Sequence, residues 1–168
     1  MKLKINFFSH IKSIKNLIIL SVIYLSFLFY IFGLSDIETI VYLVLPFIFI
    51  FVLPVLVIHL NYFLSSTTRM SYNIDINSLV VIDGQDKTIY KVTDIATIYI
   101  YATPNRFKDS ATRSFPFEDY HYAKIKCKNG QEITLTSLHS QNLDKQILDC
   151  LSDVPIEKVF RLFPLVTK

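Results

Sequence analysis

Ser137, His139 and Asp144 put a hydroxyl, an imidazole and a carboxylate within eight residues. These are the three groups of a nucleophilic triad. A triad is defined by the geometry that joins base to nucleophile and acid to base, not by spacing along the chain. Here Ser-x-His reads as the end of a strand, and no catalytic role is expected. The other groups capable of bond chemistry are thinly spread. His10, His59, His121 and His139 are scattered, and Cys127 and Cys150 lack a C-x-x-C spacing, so no metal centre is expected. Cys127 reads as an inward strand residue and Cys150 as a helix residue, both quiet thiols. None of the three glycines falls in a phosphate-cradling loop. No cofactor and no small-molecule substrate is evident, and the chain reads as a binder rather than an enzyme.

Two constellations suit binding. Between residues 104 and 118, Arg106, Lys108 and Arg113 alternate with Phe107, Phe115 and Phe117. A long loop of bases and aromatics suits an anionic bilayer surface or a partner's groove. Alternatively it is a flexible loop whose aromatics tuck under a sheet. The second constellation is Lys124, Lys126 and Lys128, in a row beside Tyr120 and Tyr122. Three outward lysines on one strand can contact a partner or lipid, or can guard a sheet edge against aggregation. The candidate partner or lipid contacts are therefore Arg106, Phe107, Lys108, Arg113, Lys124, Lys126 and Lys128.

The elements that must position these residues follow from periodicity. From Tyr72 the chain alternates at the strand period. "YNIDI" and "LVVI" are separated by "NS", "DGQDK" is a turn signal, and "TIYKV" returns. "DIATIYIYAT" is rich in β-branched and aromatic residues. "DYHYAKIKCK" turns Ala123, Ile125 and Cys127 inward and its lysines outward, and the following "NG" is a hairpin signal that pairs it with "QEITLTSL". The period then becomes helical, with Leu143, Ile147, Leu148 and Leu151 on one stripe and Ser140 as N-cap. Pro155 ends that helix or starts a short turn, "PIEKVFRLF". The expectation is an α+β domain: about six antiparallel strands in a bent sheet or partial barrel, closed by a C-terminal helix.

Ahead of this domain lie two apolar runs, residues 16–34 and 40–60, in a stretch without Lys or Arg from residue 16 to residue 68. Each is about 20 residues, which as helix covers about 30 Å, the hydrocarbon thickness of a bilayer. Two such segments cannot close a barrel, so a helical hairpin is expected, at about 16–34 and 40–62 within residues 16–64. Pro46 and Pro54 bend the second helix, and Tyr42 and Tyr62 bracket it as interface anchors. Lys2, Lys4, Lys12 and Lys15 precede the hairpin, Arg69 follows it, and the connecting loop carries only Asp36 and Glu38. Positive residues stay in the cytoplasm, so both termini are expected there. Residues 1–15 form a basic flank, with Phe7, Ile11 and Ile14 on one face that could lie on the inner leaflet. The formal charge of +3 is mostly this topology signal, not the dense basic patch of a nucleic-acid binder.

Two membrane spans, then strand hairpins, an "NG" hairpin, "ITLTSL" and a closing helix resemble the bacterial membrane-anchored PH-like domain proteins. "YNIDINSLVVI" leading into "TIYKVTDIATIYI" is similar to the opening of that superfold, and the resemblance covers about residues 68–153. It implies a cytoplasmic PH-like domain over 68–168, tethered to a bacterial inner membrane. It further implies binding or scaffolding toward a protein partner, a second copy, or anionic lipid. "NS" stands where the eukaryotic lipid-binding members carry a basic cluster. The alternative class is an accessory subunit of a transporter or secretion complex, recognised through its helices.

Overall fold

Two long helices rise from one side of a two-sheet domain in the computed structural model, which describes residues 2–33, 36–66, 70–108 and 115–167. The chain opens with a short strand, β1 (Lys2–Leu3), before α1 (Phe7–Phe32). Asn6 starts α1: its Oδ1 accepts from the Ser9 amide at 2.9 Å, and Ser9 Oγ accepts from the Asn6 amide at 3.3 Å. This reciprocal cap lets the helix begin nine residues before the apolar run, so Phe7, Ile11 and Lys15 are helical. Asp36 caps the second helix by accepting from the Thr39 amide at 3.2 Å. That helix runs Ile37–Ser65, as α2 (Ile37–Phe47), a π turn (Ile48–Val52) and α3 (Leu53–Ser65). Pro54 has no N–H, and its ring crowds the carbonyl one turn earlier. The widened π turn accommodates this without ending the helix.

The helices have 26 and 29 residues and are long and apolar enough to cross a membrane. They pack antiparallel. His10 Nδ1 lies 2.9 Å from His59 Nε2. Farther along, Tyr24 donates to the Leu43 carbonyl at 3.0 Å and stacks on Phe47 with ring centroids 4.4 Å apart.

The first sheet has the order β1-β2-β3-β4, with β2 (Met70–Asp75), β3 (Ser78–Asp83) and β4 (Asp86–Lys91). The second has the order β7-β6-β5-β8, with β5 (Ile95–Ala102), β6 (His121–Cys127), β7 (Glu132–Thr136) and β8 (Ile156–Phe160). The helix pair is thus inserted between β1 and β2. Asn77, with φ 63°, and Gly130, with φ 85°, take the left-handed conformations of the β2–β3 and β6–β7 turns. Between the sheets, Ile98, Ile100, Ile125 and Leu135 meet Leu3, Tyr72, Ile74 and Leu79. Leu143, Ile147 and Leu151 of α4 (Leu143–Cys150) complete this core. Among the described residues the two sheets do not close into a barrel.

Four local expectations change. The closing helix is shorter than its stripe implied, and Leu148 is exposed. Ser140 does not cap it; Ser140 Oγ accepts from the Asn142 amide at 3.3 Å in the preceding turn. Residues after Pro155 form β8, parallel to β5, rather than a helical turn. Their Ile156 and Val159 are half-buried, and the Ile98 amide donates to the Pro155 carbonyl at 2.9 Å. Finally, β6 is flanked by β5 and β7, so its lysines cannot be guarding a free edge.

Candidate functional site

The loop after β5 is anchored from within. Arg106, in the turn Pro104–Phe107, is buried. Its Nε and Nη2 reach the two carboxylate oxygens of Asp144 on α4, at 2.8 and 2.7 Å. His121 Nε2 stands 3.5 Å from the same carboxylate. Burial works against the Asp144 charge, but the Arg106 hydrogen bond and His121 outweigh it and hold the carboxyl down at about 2. Phe107 packs edge-on against Phe160 at 5.4 Å, and the Lys158 ammonium sits 5.4 Å over its ring. Lys108 is exposed, and Arg113 lies outside the described residues. Glu118 joins the two ends of the loop, accepting from Asn105 Nδ2 at 2.7 Å and from the Phe115 amide at 3.1 Å.

The triad residues do not form a relay. Asp144 is engaged with Arg106, while His139 Nδ1 accepts from the Thr136 amide at 3.1 Å. Burial pulls the His139 imidazole down to about 4, so it is neutral at physiological pH.

The lysine row lies on the outer face of the second sheet. Lys124 Nζ donates to the Thr167 carbonyl at 2.6 Å. Lys126 pairs with Glu132 at 3.4 Å and lies 5.4 Å over the Tyr99 ring. Lys128 is exposed in the β6–β7 turn. Nearer the helices this face is covered: Tyr101 and Tyr122 stack at 4.5 Å, and Tyr62 of α3 meets Tyr122 at 6.0 Å. The open end therefore carries Tyr99, Lys126 and Lys128.

Beside that end the sheets part. Tyr90 Oη donates to Gln131 Oε1 at 2.8 Å across the gap. A hollow of about 360 Å³ bordered by Met70, Tyr72, Val81 and Thr134 lies on one side. Another of about 460 Å³, bordered by Thr88, Asp94 and Lys128, lies on the other. Sequence reasoning misses this seam because it is built from the ends of strands far apart in the chain.

A polar seam fixes the helices to the domain. His59 links His10 to Tyr120, with Nδ1 2.9 Å from the Tyr120 hydroxyl. Asn16 hydrogen-bonds Asp119, and Gln141 Nε2 donates to the Lys12 carbonyl at 2.7 Å. Tyr62, expected as an outlying anchor, is fully buried and donates to the Pro164 carbonyl at 2.8 Å. The C-terminal segment joins here too: Asn61 exchanges two hydrogen bonds with the Val166 backbone, at 2.7 and 3.1 Å. Phe51, in the π turn, Phe115, Phe117 and Phe163 form a continuous aromatic chain beside the second helix. No periodicity announces this role for the tail. The arrangement mounts the domain on the two helices and leaves a basic and aromatic face open at the far end of the second sheet.

A family model described as a PH domain matches residues 2–143. The match begins at β1 and reaches the first residue of α4, so its span takes in both helices. No curated protein and no solved structure matches the chain.

Proposed function

The chain belongs to this PH domain family, and on that premise we propose that it is a non-catalytic binding and scaffolding module tethered to a bacterial inner membrane. One observation carries the tether. Beyond the turns the domain covers, the two helices leave Val22, Ile23, Phe27, Val41, Phe49 and Ile50 exposed. A helix apolar on its outward faces is stable in lipid and not in water. The lack of Lys and Arg from residue 16 to 68, with Lys2, Lys4, Lys12, Lys15 and Arg69 outside it, supports a hairpin whose two ends face the cytoplasm. The PH domain, over residues 68–168 with β1 added, then stands on the cytoplasmic side.

For the contact surface we favour a protein partner or a second copy of the chain. Lys128 is six residues beyond Tyr122, or about 20 Å along the strand from the ring that touches α3. That distance carries the Tyr99, Lys126 and Lys128 face away from the bilayer, toward an acidic protein surface. Lys108, exposed in the loop after β5, is a separate basic position at the other end of the sheet. Photo-crosslinkers at Lys128, at Phe107 and, separately, at Phe49 in native membranes test this. Adducts from Lys128 or Phe107 to one protein, or to the chain itself, are expected. Adducts from Phe49 alone, to another membrane protein, would instead make the chain an accessory subunit recognised through its helices.

A further inference from the structure

The last residues of the chain carry an apolar edge that the domain core does not use. Leu162, Phe163 and Leu165 are 65%, 44% and 36% exposed. They are nonetheless held in place. Asn61 exchanges its two hydrogen bonds with Val166, Tyr62 donates to the Pro164 carbonyl, and Lys124 donates to the Thr167 carbonyl. A segment fixed by polar clasps at its backbone, with Phe163 packed on Phe117 on one side and its apolar side chains still partly exposed, is built for an apolar surrounding.

The helix register says how deep that edge lies. His10 is opposite His59, and Tyr24 is opposite Leu43 and Phe47. Counting between these pairs sets Lys15, the last base of α1, level with Pro54. From Ile37 to Pro54 the helix rises about 26 Å, close to the roughly 30 Å of a bilayer's hydrocarbon core. The head-group boundary therefore falls at Lys15 and Pro54. Phe163 and Leu165 meet α3 at that level, enclosing with Leu53, Pro54, Val57 and Ile58 an open hollow of about 250 Å³ lined by apolar side chains alone. Arg161, exposed at the start of the segment, supplies a cation that could pair with a lipid phosphate.

We propose that the side chains of Leu162, Phe163 and Leu165 reach into the cytoplasmic leaflet, while the backbone of the segment is held in the head-group layer at Asn61 and Tyr62, and that the hollow beside Pro54 holds the upper part of a phospholipid acyl chain. The segment would lock the PH domain at one height and tilt on the membrane. This inference rests on the membrane-tether reading, and the experiment separates the two.

The chain has no tryptophan, so single-tryptophan variants report without background. Ile23→Trp in the middle of α1, Ile89→Trp on β4, Phe163→Trp and Leu162→Trp are purified full length. Each is reconstituted into vesicles of phosphatidylethanolamine and phosphatidylglycerol with brominated acyl chains. Phe163→Trp and Leu162→Trp should lose most of their emission, more with bromine near the carbonyl end of the chain than near its methyl end. Ile23→Trp should be quenched most by bromine near the methyl end, and Ile89→Trp not at all. If the tail probes are as unquenched as Ile89→Trp while Ile23→Trp is quenched, the tail inference fails and the tether stands. Tail probes that are blue-shifted yet unquenched would mean that a protein neighbour covers the segment, which also overturns it. An unquenched Ile23→Trp overturns the tether itself.

Discussion

Arg106 and Asp144 show how a residue's type can mislead when its partner is 38 positions away. From composition Arg106 belongs with Lys108 and Arg113 in a basic loop. In the fold its guanidinium is turned inward, and the loop is rigid at that point because of it. Arg106→Ala strands a buried carboxylate and should destabilise the domain by about 3–5 kcal/mol, the usual cost of breaking a buried pair. Thermal unfolding of the detergent-solubilised protein reads this out, and a change near zero would show the pair to be peripheral. The acid limb of stability has two parts. His139 is held below its ordinary value, so protons favour the unfolded chain. Stability should fall as pH drops from 6.5 to about 4, by about 3 kcal/mol at the end of that window. Asp144 is also depressed, and its contribution is lost lower, between 3.8 and about 2. His139→Asn keeps an acceptor for the Thr136 amide and should flatten only the upper limb. An unchanged pH profile in that variant would assign the loss to another group. The inward turn of Ala123, Ile125 and Cys127 was legible because the strand period fixes it. The pairing of Arg106 was not, since nothing local encodes a contact across the fold.

At the scale of elements, the two apolar helices and the strand hairpins follow directly from run length, alternation and turn residues. What the chain did not announce are its two ends. Lys2–Leu3 is too short to read as a strand, yet Leu3 is buried in the core and β1 extends the first sheet. Ile156–Phe160 follows a proline and reads as a helix end or a short turn; its parallel pairing with β5, a contact far away in the chain, makes it a strand instead. The C-terminal helix gives a direct check on its stripe. Ile147→Ala empties a fully buried site and should cost about 2–5 kcal/mol. Leu148→Ala, at an exposed position, should stay within about 0.5 kcal/mol. Equal losses would mean the helix packs on a different face. Asn61→Ala removes both clasps on Val166, and limited trypsin digestion should then cut at Arg161 well before it cuts the wild-type chain. Equal cutting rates would show that the tail is held by its apolar contacts instead.

For the whole molecule, the domain and the helices are one mechanical unit rather than a bead on a string. The His10–His59–Tyr120 chain, the Asn16–Asp119 bond and the aromatic run from Phe51 to Phe163 cross the junction at several points. A partner bound at Lys126 and Lys128 would therefore be held at a fixed position relative to the helices. The central claim is that these helices form a membrane hairpin with the PH domain on the cytoplasmic side. The direct measurement is labelling of single cysteines by a membrane-impermeant maleimide in intact cells, in a background lacking Cys127 and Cys150. The account predicts that Ile37→Cys, at the start of α2, is labelled from outside. Gln85→Cys, in the β3–β4 turn, should be labelled only after the membrane is opened. Labelling of Gln85→Cys in intact cells, or of Ile37→Cys only after opening, would contradict it.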